Sequence, residues 1–545
     1  MTTSLGLGDA YGATLDRIKG QGGEKARLGM AALMWISYAE RPLKSDELCH
    51  ALAIEVGSPN VNTDNVPSMG TLLSCCQGLV VVDEKASTVR LIHFTLQEYL
   101  RAHPELFGTA HSIIAETCLS YLSSQEVMAL ATVPSPDLRS SPFLEYSSVF
   151  WGAHAKQDLS DCAKLLALKL FDNHNNLTPI KVLLEAQRRY PYIVDYDKLY
   201  LFSGIHWACM FGIVEIVATL AEVEGCDINQ ADCTGNTPLA WAAYHGHEAV
   251  VEILLGRGDI DPNKLDHHDR TPLRCAAQNG HEGVVKMLLG RGDVNPNKPG
   301  WRGRAPLWCA AQIGHEEVVK IILERGDVNP NKPDNNGLTP LCCAAWHGRE
   351  GVVKILLGRD GVDPGRPDNR GRTPLRCAAW NGHEGVVEAL LGLGGINPDK
   401  PDTDGLTALW CAAGNGHEGV VKILLRQNNV TPDKPDNHGR TPLQCAAWNG
   451  HEGVVRILLG SGDVNPQKPD NRGRTALWCA AKRGHAGVMT LLQPSECMKP
   501  PLARPKAGEA SPPCRFQPWI TYASFPQGPQ QFYKHVCRRR SPPPQ

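Results

Sequence analysis

The sequence predicts a mainly α-helical solenoid of nine 34-residue repeats, preceded by a winged-helix domain and an α-helical spacer domain. A Thr-Pro-Leu phrase or a close variant recurs at unbroken 34-residue intervals from Thr237 to Thr475. One interval further back lies a worn copy, Ser203-Gly204-Ile205-His206. Such a period is typical of stacked helix pairs, none of which can bury its own apolar face. Stacks of this kind present a long surface and seldom house a reaction.

Composition excludes several classes of function. The 545 residues include 55 Lys and Arg against 57 Asp and Glu, so the net charge of -2 draws the chain neither to nucleic acid nor to anionic lipid. No run of roughly 18 apolar residues predicts a membrane span, and no secretory leader follows Met1. We therefore expect no membrane partner and a cytoplasmic protein, with the nucleus as the alternative.

The 19 cysteines do not form a disulfide framework by their spacing. Seven hold one position in successive repeats, and Trp207 and Trp241 fill that position in the first two copies. A position that accepts both a thiol and an indole is a packing position. This usage predicts a reducing compartment and neither metal nor redox chemistry. The seven cysteines are Cys275, Cys309, Cys343, Cys377, Cys411, Cys445 and Cys479.

Residues 1–26 are interpreted as an N-terminal remnant and residues 27–107 as the winged-helix domain. An apolar helix over 28–36 ends before Pro42, and helices over 45–52 and 68–76 follow. Two short strands over 79–82 and 88–92 flank a tight turn and predict a hairpin. A further helix covers 94–101. Three helices followed by a hairpin is the order of a winged helix.

Two further regions lie on either side of the repeats. Residues 108–200 read as a helical spacer that covers the first repeat, with helices over 113–122, 161–170 and 180–187. The repeats occupy 201–493. The tail, 494–545, is rich in Pro and Arg and predicts disorder.

Each repeat carries the signals of a helix pair. In the copy from 436 to 469, Thr441 is a good N-cap and Pro442 takes the first helical position. Small residues at 445–447 allow close helix approach, Gly450 ends the first helix, and the apolar stripe over 454–459 marks the second.

This unit resembles the ankyrin repeat in its Thr-Pro-Leu, Ala-Ala, Gly-His and Val-Val…Leu-Leu phrases. The usual family length is 33 residues. The added residue is assigned to the Asn-Pro-Asn-Lys-Pro connection, 295–299 in one copy. The histidine that usually follows Thr-Pro-Leu is replaced, which puts a stabilising hydrogen bond in doubt. The replacements are Ala240, Arg274, Trp308, Cys342, Arg376, Trp410, Gln444 and Trp478.

A second resemblance covers about 80 residues, through 32–43 and 91–100. These stretches are similar to the winged-helix segment of fungal NACHT–ankyrin proteins, a segment labelled after GPI inositol-deacylase. In such receptors it follows a nucleotide-binding switch. The chain contains no Gly-Lys dipeptide, hence no phosphate-binding loop of the Walker type. The resemblance therefore implies the back half of such a receptor, with a separate NACHT or NTPase protein as a partner.

The sequence lacks the common catalytic and metal-binding motifs. There is no Gly-x-Ser-x-Gly nucleophile motif and no His-Glu-x-x-His. The Gly-His-Glu histidines stand 34 or 68 residues apart, which favours a structural role at the helix–helix turn. Three Arg-Gly-Asp phrases fall at helix exits and are read as helix ends. We expect a non-enzyme without a cofactor or a metal.

Recognition is expected where the repeats disagree, at the turn tips and just after Ala-Ala. The ankyrin resemblance implies that these places line a concave groove. Each of the last six repeats has one tryptophan on its first helix, at either of two sites four residues apart, which share a helix face. Trp and Arg are common anchors of protein interfaces. The predicted partner-binding residues are Tyr244, Trp308, Trp346, Trp380, Trp410, Trp448 and Trp478, with Arg304, Arg372, Arg440 and Arg474.

The alternative for the tryptophans is that they fill gaps between repeats. The sequence as a whole predicts a binding protein that recognises a protein partner through its repeats. The resemblance implies that it is the sensor half of a fungal NOD-like receptor. One rival is a DNA reader acting through the winged helix, but its third helix, 68–76, carries no Lys or Arg to meet phosphates. Another rival is a truncated receptor fragment without independent activity.

Overall fold

A computed structural model describes residues 4–130, 141–171, 177–186, 196–223 and 225–493. The predicted tail, 494–545, lies outside these residues. The chain divides between His268 and Asp269 into two compact units, which we call the N-terminal unit and the C-terminal unit and describe separately.

Residues 23–102 of the N-terminal unit have the predicted order of three helices, a hairpin and a helix, and one further helix, Ser4–Gly20, precedes them. The hairpin strands are antiparallel, with Val80 opposite Leu91 and Asp83 opposite Thr88. The elements are α1 Ser4–Gly20, α2 Gly23–Tyr38, α3 Ser45–Ala53, α4 Met69–Cys75, β1 Val80–Asp83, β2 Thr88–Leu91 and α5 Phe94–Ala102.

Helix α2 contains Gly29, a residue that is unfavourable inside a helix, and the close packing of α2 against its neighbours explains its presence. A Cβ at Gly29 would lie 2.7 Å from the carbonyl oxygen of Cys75 and 2.9 Å from Ile18. Glycine lowers the helix propensity of α2, but because it has no side chain, two neighbouring helices can approach α2 at this position. Ile18 belongs to α1, where Leu15 and Ile18 are fully buried. The segment interpreted as a remnant, 1–26, thus contains a helix that packs on the winged-helix part.

The spacer consists of helices, as expected, but two of them, Gln125–Ala129 and Leu144–Gln157, were not predicted. The helices are α6 Ala110–Leu122, α7 Gln125–Ala129, α8 Leu144–Gln157, α9 Asp161–Phe171 and α10 Leu177–Ala186. Helix α8 lacks a clear apolar stripe because its buried residues include Ser147, Ser148 and His154. Its Trp151 ring lies 5.8 Å from that of Trp207 in the first repeat, so the spacer covers that repeat.

Nine helix pairs follow in the described part of the chain. Those of the N-terminal unit are α11 Gly204–Phe211 with α12 Val214–Ala221, and α13 Pro238–His245 with α14 Glu248–Leu255. Those of the C-terminal unit are α15 Pro272–Asn279 with α16 Glu282–Gly290, α17 Pro306–Ile313 with α18 Glu316–Glu324, α19 Pro340–Trp346 with α20 Glu350–Leu357, α21 Pro374–Asn381 with α22 Glu384–Leu391, α23 Ala408–Asn415 with α24 Glu418–Leu425, α25 Pro442–Asn449 with α26 Glu452–Gly460, and α27 Ala476–Arg483 with α28 Ala486–Leu492.

The sequence signals act as predicted at the helix ends. The Thr441 hydroxyl accepts a hydrogen bond from the backbone N–H of Gln444 at the start of α25. Helices α16 and α18 end immediately before Arg291 and Arg325, so two of the Arg-Gly-Asp phrases are helix exits, as predicted. In both phrases the arginine pairs with its own aspartate.

The Asn-Pro-Asn-Lys-Pro connections join successive repeats of the C-terminal unit. The Asn297 side chain donates to the carbonyl oxygen of Asp327 at 2.6 Å and accepts from the amide of Asn329 at 2.8 Å. Asn331 makes the same two bonds to Gly361 and Asp363. One asparagine per connection therefore satisfies two backbone groups of the next repeat.

Replacing Gly450 with alanine is expected to destabilise the repeats around it. Gly450 ends α25 with φ +79°, and an added Cβ would lie 2.6 Å from the His485 ring. The left-handed conformation alone costs a residue with a Cβ about 1–2 kcal/mol, and displacing His485 adds to that. Urea unfolding measures the change. Gly460→Ala is the matched control, because Gly460 is helical with nothing within 4 Å of an added Cβ. An equal loss in both variants would contradict this explanation.

Candidate interaction surface

Three of the predicted arginines are held in place by an aspartate at the start of their own turn. Asp368 accepts from the amides of Arg370 and Arg372 at 2.9 and 2.8 Å, and from the Arg372 guanidinium at 2.6 Å. Asp436 with Arg440 and Asp470 with Arg474 repeat this arrangement. Burial opposes ionisation of Asp470, but the hydrogen bonds from Arg474 and the turn amides outweigh it and hold the pKa of Asp470 below its usual value. The three guanidinium groups are therefore fixed and remain 19–27 % exposed.

Arg304 is placed differently. Only 2 % of its side chain is exposed, its guanidinium lies 4.1 Å from the centre of the Trp308 ring, and its Nε is 4.0 Å from Asp334. Burial raises the pKa of Asp334 above its usual value. Arg304 is thus part of the packing beneath the surface, which corrects its predicted role as a contact residue.

Trp308 and Trp410 fill gaps between repeats, which is the alternative that the sequence left open. Each is 2 % exposed. The Trp308 indole N–H donates to the backbone carbonyl oxygen of Leu338 at 3.0 Å. The Trp410 indole N–H donates to the backbone carbonyl oxygen of Arg440, also at 3.0 Å. Both acceptors lie in the turn of the following repeat, which covers the rings. These two predicted partner-binding residues are therefore packed between repeats.

The hydrogen bonds of Trp308 and Trp410 also replace the one that the histidine after Thr-Pro-Leu usually makes in an ankyrin repeat. In the first repeat, which keeps the histidine, His206 Nε2 bonds to the carbonyl oxygen of Gln230 at 2.9 Å. Gln444, at the same repeat position, donates to the carbonyl oxygens of Lys468 and Arg474, both at 2.8 Å. His206, Trp308, Trp410 and Gln444 therefore all bond to the chain that follows, so in these four repeats different side chains make an equivalent hydrogen bond.

The second tryptophan site lies four residues further along the first helix of the repeat than the site of Trp308 and Trp410. The three tryptophans at this second site are half-buried: Trp346, Trp380 and Trp448. Their carbonyl oxygens accept hydrogen bonds from the Gly-His histidines of the next repeat, at 3.0–3.1 Å. The histidines are structural, as predicted, and they fix the end of the first helix on which these rings stand. They are His383, His417 and His485.

Trp346 forms a wall of a pocket of about 110 Å³. The Arg372 guanidinium lies 5.8 Å from the centre of the Trp346 ring. Burial, together with nearby arginines, lowers the pKa of His347 to about 4, so this lining residue is a neutral imidazole near pH 7. We call this the Trp346 pocket, and its lining is Trp308, Gln312, Asn336, Leu338, Cys343, Trp346, His347, Asn369, Arg370 and Arg372.

A second, smaller pocket of about 30 Å³ lies between the last two repeats of the described chain, and its lining includes three predicted residues, Arg440, Trp448 and Arg474. The ring of Trp448 stacks on that of Trp478 at 6.5 Å, and Trp478 is 36 % exposed. Arg483, which sequence reasoning missed, lies 4.3 Å from the centre of the Trp448 ring. The sequence does contain a sign of this residue, because the second residue after Ala-Ala varies among the repeats. In successive copies of the C-terminal unit it is Asn279, Ile313, His347, Asn381, Asn415, Asn449 and Arg483.

Tyr244 lines neither of these two pockets. It belongs to the N-terminal unit, is 6 % exposed, and packs its ring against Trp241 and His245. Its burial means that it supports its repeat rather than presenting a ring to a ligand.

Other kinds of site find no support among the described residues. No group of three or more His, Cys, Asp and Glu side chains within them is arranged to hold a metal ion. None of the helices in the described ranges is both long and apolar enough to cross a membrane. All the cysteines whose structure is described are free thiols.

Comparison with protein families agrees with both resemblances. Models of ankyrin repeats match residues 205–299, 291–368 and 375–468, and a second ankyrin model matches 347–391. A model of the GPI inositol-deacylase winged helix domain matches residues 17–108. A search of curated proteins found no match. Ankyrin repeats are protein-interaction modules, and the second match concerns a winged helix and no hydrolase domain. The chain therefore joins a winged helix domain of the GPI inositol-deacylase type to an array of ankyrin repeats.

Proposed function

We propose that this protein works by binding, without catalysis, and that the C-terminal unit recognises a protein partner through an anchor side chain seated in the Trp346 pocket. The pocket carries this proposal. Its volume of about 110 Å³ is of the same order as the roughly 150 Å³ of an apolar cavity that holds benzene, and its lining combines an indole wall with polar groups. Interface hot spots have this character, a desolvated aromatic or aliphatic contact ringed by polar residues.

The rigidity of the pocket supports the same proposal. His383 fixes the carbonyl oxygen of Trp346, and Asp368 holds the Arg372 guanidinium. Because these groups are already ordered, a partner gains contacts without the entropic cost of ordering them.

The order of domains supports a finer proposal. A GPI inositol-deacylase-type winged helix followed by ankyrin repeats is the arrangement that resembles fungal NACHT–ankyrin receptors. We propose that the array is the sensor part of such a system and that a partner containing a NACHT or other NTPase domain supplies the switch. The DNA-reading alternative gains nothing from the fold, because helix α4, Met69–Cys75, contains neither Lys nor Arg.

Trp346→Ala is expected to abolish capture of the partner, because truncating a central aromatic anchor costs about 2 kcal/mol or more of binding free energy. The measurement is quantitative mass spectrometry of proteins retained from an extract of the source cells by the immobilised full chain and by its variants. Trp301→Ala is the matched control, since Trp301 is a 46 % exposed tryptophan of the same unit that does not line the pocket. Identical retention by the wild type and by Trp346→Ala would refute the proposal.

A further inference from the structure

The last repeat, over residues 470–493, differs from its neighbours in charge. It contains four basic residues, Arg472, Arg474, Lys482 and Arg483, and a single acidic one, Asp470. The repeat before it, over 436–469, contains three of each. The second helix of the last repeat also begins with Ala486, where the preceding copies of the C-terminal unit have a glutamate. Positive charge is thus concentrated in one repeat of a chain whose net charge is -2.

Most of this charge is open to solvent. Asp470 pairs with Arg474 at 2.7 Å. Arg472, Lys482 and Arg483 are exposed, and no carboxylate within the described residues forms an ion pair with them. Three positive charges therefore remain uncompensated on the surface of this repeat.

The same repeat presents aromatic surface beside the charges. The Arg474 guanidinium lies 5.2 Å from the centre of the Trp478 ring, Trp478 stacks on Trp448 at 6.5 Å, and Arg483 lies 4.3 Å from the centre of the Trp448 ring. Taken in succession, these contacts form a row at most about 16 Å long. At about 3.3 Å per residue, such a row spans about five residues of an extended peptide. We call these six residues the C-terminal Trp–Arg patch: Trp448, Arg472, Arg474, Trp478, Lys482 and Arg483.

We propose that the C-terminal Trp–Arg patch binds an acidic, extended peptide segment of the protein partner, with apolar side chains against the two indoles and flanking carboxylates on the cations. This proposal rests on the proposed function and adds the chemistry of the partner. Arginine favours planar carboxylates because its guanidinium donates two parallel hydrogen bonds. The patch offers cations at both ends of an aromatic centre, which matches a peptide with acidic residues on both sides of apolar ones.

A nucleic acid fits the patch less well than an acidic peptide. Polyphosphate ligands require cations along a track, and the adjoining repeat carries equal numbers of acidic and basic residues.

The test uses the full chain and two labelled seven-residue peptides, Glu-Glu-Leu-Ala-Leu-Glu-Glu and its counterpart with glutamine in place of glutamate, measured by fluorescence anisotropy. We expect the glutamate peptide to bind about ten-fold more tightly at low ionic strength, and this preference to shrink at high ionic strength, where exposed charges are screened. The triple variant R472Q/K482Q/R483Q is expected to lose about ten-fold in affinity, since exposed ion pairs each contribute a modest factor.

The matched control is K286Q/K422Q/R456Q, which removes the same charge from exposed positions on second helices of the C-terminal unit. It is expected to change the affinity less than about two-fold. Equal binding of both peptides, equal losses in both triple variants, or tighter binding of an oligouridylate than of the glutamate peptide would overturn the inference. If capture of the partner still depends on Trp346 while the glutamate peptide fails to bind, only the inference about the partner's chemistry falls.

Discussion

Trp308→Ala is expected to lower the free energy of unfolding by about 3–5 kcal/mol, the range for removing a large buried aromatic side chain. The ring is 2 % exposed, and its loss leaves a cavity between two repeats. It also removes the indole N–H bond to the carbonyl oxygen of Leu338 and leaves the buried Arg304 guanidinium without the ring that it covers. Urea unfolding of the full chain, followed by circular dichroism, measures the change.

Trp346→Ala provides the comparison for this prediction. Trp346 is half-buried and its structural bond is made by its backbone carbonyl, which alanine retains. We therefore expect a clearly smaller loss of stability from Trp346→Ala than from Trp308→Ala, and the reverse order for loss of partner binding. Similar destabilisation by both substitutions would show that Trp346 is a packing residue and would remove it from the proposed surface.

The helix pairs of the repeats could be predicted because several local signals agree within each 34-residue unit. Thr441 caps a helix, Pro442 occupies its first turn and Gly450 ends it with positive φ, so the position of α25 follows from the chain alone. Helix α8 gives no comparable signal. Its buried positions include Ser147, Ser148 and His154, which are polar, and only contacts with distant segments make their burial favourable.

The candidate site shows where local reasoning ends. Positions four residues apart share a helix face, so the sequence predicted a common binding role for Trp308, Trp346 and Trp410. In the structure the turn of the next repeat covers the rings of Trp308 and Trp410, whereas the ring of Trp346 remains half-buried. The path of that turn is set by tertiary contacts about 30 residues away in the chain, which the helix period does not contain. The positive charge of the last repeat, in contrast, is visible in composition once the repeats are compared one by one.

Acidification is expected to destabilise the N-terminal unit through His154. This side chain is fully buried, its Nε2 lies 2.9 Å from the Tyr146 hydroxyl, and its Nδ1 lies 2.8 Å from Nδ1 of His111. Burial, with a further contribution from His111, lowers the pKa of His154 to about 3 from its ordinary value of 6.5. Between these two values the unfolded state binds a proton that the folded state does not, so stability falls as the pH falls through this window.

The expected size of this effect is about 2 kcal/mol between pH 7 and pH 5, since each pH unit below the unfolded pKa costs about 1.4 kcal/mol. Hydrogen exchange of the peptides from α6 and α8, corrected for the intrinsic pH dependence of exchange, measures it locally. The variant His154→Gln, which cannot take up a proton, is expected to lose this pH dependence.

Tyr146→Phe is the control that separates titration from packing. It removes the hydroxyl that contacts His154 Nε2 but keeps the buried imidazole. This variant is therefore expected to be less stable at every pH while keeping the decline between pH 7 and pH 5. If His154→Gln retains the full pH dependence, the proton is taken up elsewhere. The neighbouring His111, whose pKa burial also lowers, is then the next group to replace.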